Sequence, residues 1–301
     1  MKIHAGQKTR SDAIKAVFWL ILPMCAIGLF CVYPAVDAVL KSFTDWSPSG
    51  KTEVVWLKNY AAVFSDGIFR KACANMVIIV FFNLITGNVS TLFLAELLFN
   101  MKSKKAAKIY RYLFLIPALV PGMVTVLLWK NVIFAGTEEG LINAFLGVFG
   151  AEPNGWYFSE KWSKFSIIMT NFPWVGGISF LIYFAGLQAI PESCVEAAEL
   201  DGVSTFGRII YIDLPLLIGQ IKYFIIVGLV NGVQNFDYQL IITDGGPNNS
   251  TIVPGYMLYL KTYGYSRLGE AAAIGVILFA VTFALSLLSN RVSKKMQGEN
   301  V

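Results

Sequence analysis

Asn231, Gln234, Asn235 and Tyr238 stand at i, i+3, i+4 and i+7 within a long apolar run of this 301-residue chain. At about 100° of rotation per residue they would share one face of a helix. Amides and a phenol in a row can exchange hydrogen bonds with hydroxyl groups, while an aromatic face covers the C–H side of a ring, which suits neutral polyols better than ions. The competing reading is structural: Asn and Gln hydrogen-bond across packed spans for about 0.6 to 2 kcal/mol. Asp237 points off this stripe, towards the outer end, where snorkelling or a basic partner would relieve it. Gly228 and Gly232 form a G-x-x-x-G step beside the stripe, which reads as close helix packing.

A second stretch, residues 196 to 217, holds four carboxylates, two glycines and a proline between two of the longest apolar runs. Pro191-Glu192-Ser193 can start a helix, and Glu-Ala-Ala-Glu-Leu from Glu196 to Leu200 has high helix propensity. Gly202 can take the positive φ that ends such a turn. Ser204 can cap a second short helix with Phe206, Ile209 and Ile210 on its apolar side, until Leu214-Pro215 turns the chain back. Two uses remain open for this helix, break, helix, re-entry pattern: insertion into a cleft on another protein, or a hairpin lying on the membrane surface.

These segments sit in a chain that is 56% hydrophobic and 14% charged, with a mean hydropathy of +0.61. Ordinary soluble domains carry about a quarter charged residues, so the composition is that of a membrane protein. Apolar runs long enough to cross about 30 Å of hydrocarbon fall near residues 16–40, 73–98, 110–134, 165–187, 217–243 and 269–290, which predicts an all-α polytopic fold with six transmembrane helices. The first run is too long for the apolar part of a signal peptide and is read as a retained anchor. With an even number of spans, both termini face one side. Lys2, Lys8, Arg10 and Lys15, then Lys102, Lys104, Lys105, Lys108 and Arg111, then Arg208 and Lys222, and finally Arg291, Lys294 and Lys295 crowd that side, which places it in the cytoplasm. The loop 188–216 is then cytoplasmic, and its length marks it as functional.

Several chemistries are set aside. The net charge of +5 is spread over membrane-flanking loops and forms no nucleic-acid face. Ser49-Gly50-Lys51-Thr52 imitates a phosphate-binding loop, yet the glycine required five positions before Gly50 is Asp45, so no ATP site is expected on this chain. One histidine, His4, supports neither a triad nor a multi-histidine metal site. Cys25, Cys31, Cys73 and Cys194 fit neither a disulfide framework nor paired metal ligands. Asn88-Val89-Ser90 and Asn249-Ser250-Thr251 match the glycosylation triplet at chance frequency. Glu96 and Glu270 are expected at span ends in interfacial roles, and without a central carboxylate cluster a proton relay is not expected. An ion-coupled secondary transporter, the alternative class, would need a midplane ion site and two related halves. An integral-membrane enzyme would need convergent His, Asp or Ser groups. Leu141, Ile142, Phe145, Leu146 and Phe149 recur at helical spacing and predict an outer-surface helix over 137–149.

The spacing Glu196, Ala197, Ala198, then Gly202, Ile212, Leu214 and Pro215 resembles the cytoplasmic EAA signature of the inner-membrane permeases of binding-protein-dependent ABC importers. The resemblance extends from about residue 13 to 295. Trp56-Leu57-Lys58-Asn59-Tyr60, Gly186-Leu187-Gln188-Ala189-Ile190-Pro191 and Thr243-Asp244-Gly245-Gly246-Pro247 with Thr251 are similar to the carbohydrate branch, and the last to the larger permease of maltose-type and glycerol-phosphate-type systems. The resemblance implies a single transmembrane domain over residues 1–301 whose first loop helix is a coupling helix docking on an ATPase subunit. It implies as partners a second homologous permease, two ATPase subunits carrying ATP and Mg, an extracytoplasmic sugar-binding protein and a carbohydrate. It implies no cofactor on this chain, and a location in the bacterial cytoplasmic membrane. Carried over by position, it implicates Asn171 and Trp174 in span four and Asn231 and Asn235 in span five in the solute path. Ile178 stands where a polar aromatic would suit a sugar better.

Overall fold

A computed structural model describes residues 10–296 apart from residues 49, 51 and 176, so His4, Lys2, Lys8 and part of the phosphate-loop imitation lie outside the described residues. Among the described residues the chain is helical with no β-strand; one isolated bridge pairs Thr44 with Val54. Contacts divide it into two units, residues 1–63 with 258–276 and residues 64–257 with 277–301.

In the first unit, α1 (Arg10–Ile27) continues through a π turn, Gly28–Val32, into α2 (Tyr33–Lys41). Trp19, Leu22 and Phe30 are exposed along it, as expected for a surface that lipid covers. After α2, the start of α3 (Lys58–Ser65) folds back on the connecting loop. Asn59 Nδ2 donates to the carbonyls of Ser42 and Thr44 at 2.8 and 2.7 Å, and Tyr60 shares a 2.7 Å bond with the Ser42 hydroxyl. The start of α15 (Leu268–Met296) closes on the same loop. Gly269 N–H bonds Trp46 O at 3.1 Å, and a side chain there would collide with the Thr44 carbonyl. Glu270 is held by Lys261 at 2.6 Å and Arg267 at 3.4 Å, ion pairs consistent with a residue at a span end.

The second unit is organised on α4 (Gly67–Phe99), which Asp66 caps by accepting from Ile68 N–H at 2.8 Å. Its 33 apolar-rich residues make a rod about 50 Å long. The chain then runs through α5 (Lys104–Leu115), α6 (Gly122–Leu128), α7 (Leu141–Gly147), α8 (Ser163–Met169), α9 (Gly177–Gln188), α10 (Glu192–Leu200), α11 (Thr205–Arg208), α12 (Leu214–Leu216), α13 (Ile218–Gln234) and α14 (Pro254–Tyr259). α4 packs against α8, α9 and α13. Ala95 and Leu98 meet Phe180, Tyr183, Leu187 and Leu217 in a core whose members are nearly all fully enclosed. The 137–149 prediction shortens to α7, because Asn143 is a buried hub. Its Nδ2 reaches the carbonyls of Ala135, Thr137 and Asn154, and its Oδ1 accepts from Trp156 Nε1 at 2.7 Å.

Among the described residues three helices, Val17–Lys41, Gly67–Phe99 and Leu268–Ser289, are by length and composition able to cross a membrane unaided, and up to six spans result if each of three bent pairs counts as one. The three remaining predicted runs are therefore not straight. The 110–134 run starts earlier and bends by 89° between Lys104–Leu119 and Gly122–Ile133, where Pro117 and Pro121 remove backbone donors. The 165–187 run breaks between α8 and α9, where Asn171 and Trp174 take φ of 70° and 58° around Pro173. The 217–243 run ends its regular helix at Gln234; Asn235 is extended, and a π turn over Gln239–Thr243 follows. Non-helical backbone within an apolar run is tolerated only where protein or a cavity satisfies it.

Gly228 and Gly232 let α13 lie directly on α4: a Cβ at Gly232 would sit 2.9 and 3.0 Å from the Val80 methyls, and one at Gly228 would collide with Leu84. The Cβ of Ala at Gly232 must push the Val80 methyls aside, which offsets its helix-propensity gain of about 1 kcal/mol, whereas a larger side chain should cost about 2 kcal/mol from overpacking. The purified protein with Gly232→Ile should therefore unfold about 4 °C lower while Gly232→Ala stays near the parent, as followed by thermal melting in detergent; equal midpoints for the two would refute the packing role.

Candidate functional site: an acidic elbow and an amide-lined cavity pair

The acidic loop folds as two short helices joined at Gly202. α10 begins after Pro191 and ends in a double closure: Gly202 N–H bonds Glu199 O at 3.1 Å, and Val203 N–H bonds Ala198 O at 2.9 Å. Gly202 carries φ of 69°, and no atom lies within 4 Å of where its Cβ would be, so glycine is required by backbone conformation and not by crowding. Ser204 caps α11, its hydroxyl accepting from Gly207 N–H at 3.2 Å. A π turn, Ile209–Asp213, carries α11 into α12. The chain turns back at Leu217, bending by 67° into α13, and not at Leu214-Pro215 as the sequence suggests. The π turn displaces the hydrogen-bond register just before Pro215, so the donor that proline lacks does not end the helix there.

Of the signature residues, Ala198 is buried, Ile212 and Leu214 are half-buried, and Glu196, Ala197, Gly202 and Pro215 are exposed. Leu200 and Phe206 are 88% and 71% exposed, so the outer side of the elbow presents apolar side chains next to carboxylates.

Higher in the unit, two cavities of about 240 and 260 Å³ lie along α4 and α13 and share Val80, Asn83 and Gly228 as walls. Asn231, Asn235, Tyr238 and Gln239 line the first. Asn88, Thr91, Trp174 and Ser179 line the second. Asn171 stands behind the first wall, its Nδ2 donating to Tyr238 Oη at 2.7 Å. Trp174 is pinned by its indole N–H on Ile168 O at 2.8 Å, while its own carbonyl accepts from Thr91 at 3.3 Å. Gln234 lines neither cavity: because the helix stops there, the 100° rotation does not carry the predicted stripe through to Asn235 and Tyr238, which reach the cavity by a change of backbone instead. Of the two expectations for Asp237, exposure or a basic partner, the structure has it exposed, with an amide partner in Asn235 Nδ2 at 3.0 Å. Ile178 is 74% exposed and lines neither cavity.

Sequence reasoning missed Asn83 and Asn88. Both lie on α4, where single amides on an otherwise apolar helix make no stripe; their only signal is polarity inside a predicted span. Asn88 is not a glycosylation acceptor in this setting, since its Oδ1 accepts from Tyr183 Oη at 2.7 Å within the helix packing. Glu96 is likewise no interfacial residue. It is 5% exposed, bonded through Oε2 to Asn100 Nδ2 at 3.2 Å, at the end of α4 that the Arg208 side chain covers by reaching Asn100 and Phe99. Among the described residues no group of three or more His, Cys, Asp or Glu could hold a metal ion.

Comparison with known proteins agrees with this architecture. Residues 87–298 match the family described as binding-protein-dependent transport system inner membrane component. The chain is 30% identical over 273 residues to the arabinooligosaccharides transport system permease protein of Bacillus subtilis, covering 90% of this chain and 86% of that one. It is 30% identical over 289 residues to the sulfoquinovosyl glycerol transport system permease protein of Agrobacterium fabrum, covering 93% and 91%. In fold it resembles a chain of a bacterial ABC transporter involved in the import of the acidic polysaccharide alginate, with a TM-score of 0.83 at 18% identity over 95% of this chain and 96% of that one. The chain belongs to the inner membrane components of binding-protein-dependent transport systems.

Proposed function

We propose that this chain is the permease subunit of an ATP-driven importer and forms, with a second homologous permease, the passage for a sugar or oligosaccharide delivered by an extracytoplasmic binding protein. The observation that carries the reading is the exposed elbow of α10, Gly202 and α11. A surface that pairs exposed Leu200 and Phe206 with carboxylates on rigid short helices suits a cleft on a partner protein. The relatives' names add the substrate class: they are permeases for arabinooligosaccharides and sulfoquinovosyl glycerol. The chain itself is a transport component; ATP and Mg act on two partner ATPase subunits.

On this reading residues 1–301 work as one transmembrane domain of six spans, three of them bent, in the bacterial cytoplasmic membrane with both termini cytoplasmic. α10 is the coupling helix. Closure of the ATPase dimer on ATP would push the elbow towards the membrane, and the packed helices would convert that push into outward opening of the passage. Asn231, Asn235 and Tyr238, with Asn83 on the facing wall, would exchange hydrogen bonds with solute hydroxyls, and Trp174 would cover a ring face. Amides without a fixed charge bind neutral solutes weakly enough to release them, which a passage requires.

Two measurements test this. Gly202→Val forces a β-branched residue into positive φ without touching the core, a strain of about 1 to 2 kcal/mol confined to the elbow. The variant should stay in the membrane but lose co-purifying ATPase and ATP-driven uptake; retention of both would count against docking at α10. Asn231→Ala removes one hydrogen-bonding group of the passage and should raise the half-saturating solute concentration for uptake about five-fold, as a bond worth about 1 kcal/mol predicts, with ATPase association unchanged. An unaltered uptake curve would take Asn231 out of the solute path.

A further inference from the structure

The elbow is fastened to α4 as well as to α13. Arg208 Nε donates to Asp213 Oδ2 at 3.1 Å, and its Nη2 donates to Asn100 Oδ1 just beyond the end of α4. Asn100 Nδ2 turns back into α4, donating to Glu96 O at 2.8 Å and Glu96 Oε2 at 3.2 Å. The Arg208 guanidinium also lies 5.5 Å from the centre of the Phe99 ring. Arg208, Asp213 and Glu96 are 8%, 0% and 5% exposed, and one oxygen of each carboxylate, Asp213 Oδ1 and Glu96 Oε1, has no protein partner.

Such a cluster is a poor way to gain stability, because desolvating a cation and two carboxylates offsets much of their attraction, and an apolar set of the same volume would serve as well. What it supplies is a directional, geometrically specific link. The link has a mechanical use. Between α12 and α13 the chain bends by 67° at Leu217, so a push along the elbow's last helix is not directed along the axis of α13. α4 has no such bend over its 33 residues, and it walls both cavities through Val80 and Asn83.

We infer that Arg208 and Asn100 form a strut that makes α4 move with the elbow, so that α4 carries coupling motion past the bend at Leu217 to the cavity wall. Both are positioning residues, and the inference rests on the reading of α10 as the ATPase-docking helix. Asn100→Ala cuts the strut while leaving the Arg208–Asp213 pair inside the loop. Arg208→Met removes both hydrogen bonds and the cation over the Phe99 ring at similar volume. Asn100→Gln keeps an amide oxygen for the guanidinium and an amide N–H for Glu96.

The test is the complete importer in proteoliposomes, with solute uptake and ATP hydrolysis measured together and ATPase retention checked by co-purification. Asn100→Ala and Arg208→Met should keep bound ATPase and hydrolysis, yet take up about five-fold less solute per ATP, while Asn100→Gln stays near the parent. Unchanged uptake per ATP in Asn100→Ala with ATPase bound would overturn the strut alone. Loss of ATPase from Asn100→Ala would also overturn it, since the contact would then be a prop for the docking helix. A parent chain that binds no ATPase would overturn the docking reading and the strut together.

Discussion

Every helix that stops inside an apolar run leaves carbonyls and amides that lipid cannot satisfy, and the arrangement of the second unit follows from who satisfies them. α4 supplies most of the donors. Lys71 Nζ reaches Asn248 O at 2.8 Å, Asn75 Nδ2 reaches Asn249 O and Ile252 O at 3.1 and 3.0 Å, and Thr91 reaches Trp174 O at 3.3 Å. α6 leads into the π turn that carries Lys130, whose Nζ caps Ile241 O at 2.8 Å, beside the break in the fifth run. The loop beyond that break closes on itself through Thr251, which bonds the Thr243 hydroxyl at 2.8 Å and Gly246 O at 2.9 Å while Asp244 and Gly245 take positive φ. Polar groups here are consequences of broken helices before they are anything else.

That constraint also explains where the cavities lie. A broken helix cannot pack as a smooth cylinder, so the breaks at Asn171 to Trp174 and at Asn235 leave space beside the straight rod of α4. The side chains around that space are the residues the breaks require: amides, a phenol and an indole. The same chemistry that satisfies the backbone is the chemistry suited to a neutral polyhydroxylated solute. One unbroken helix, touched at one end by Arg208 and flanked along its middle by both cavities, joins the elbow to the cavities.

The elbow was legible in the sequence because its determinants are local. Helix propensity around Glu196, the positive φ that Gly202 adopts and the cap at Ser204 act within a few residues, and they appear in the structure at those positions. Apolar length likewise located the straight helices. The bends were not legible, since Pro173 and Asn235 inside long apolar runs look like tolerated exceptions until their donors and acceptors are seen. Periodicity placed Asn231, Gln234, Asn235 and Tyr238 on one helix, whereas the regular helix ends at Gln234 and the wall formed by Asn231 continues through Asn235 and Tyr238 on non-helical backbone and the turn beyond it. Glu96 was read from its distance to a span end, whereas its burial is set by Asn100 and by Arg208, more than a hundred residues away in sequence.

The central claim is that the elbow seats in an ATPase subunit. Leu200, 88% exposed at the end of α10, is the place to ask, because a photo-crosslinking amino acid there replaces a side chain that the fold does not use. Irradiating the assembled importer in its membrane, with and without ATP, should yield an adduct between this chain and the ATPase in at least one nucleotide state. Adducts to lipid alone in every state, from a complex that still transports, would contradict the account.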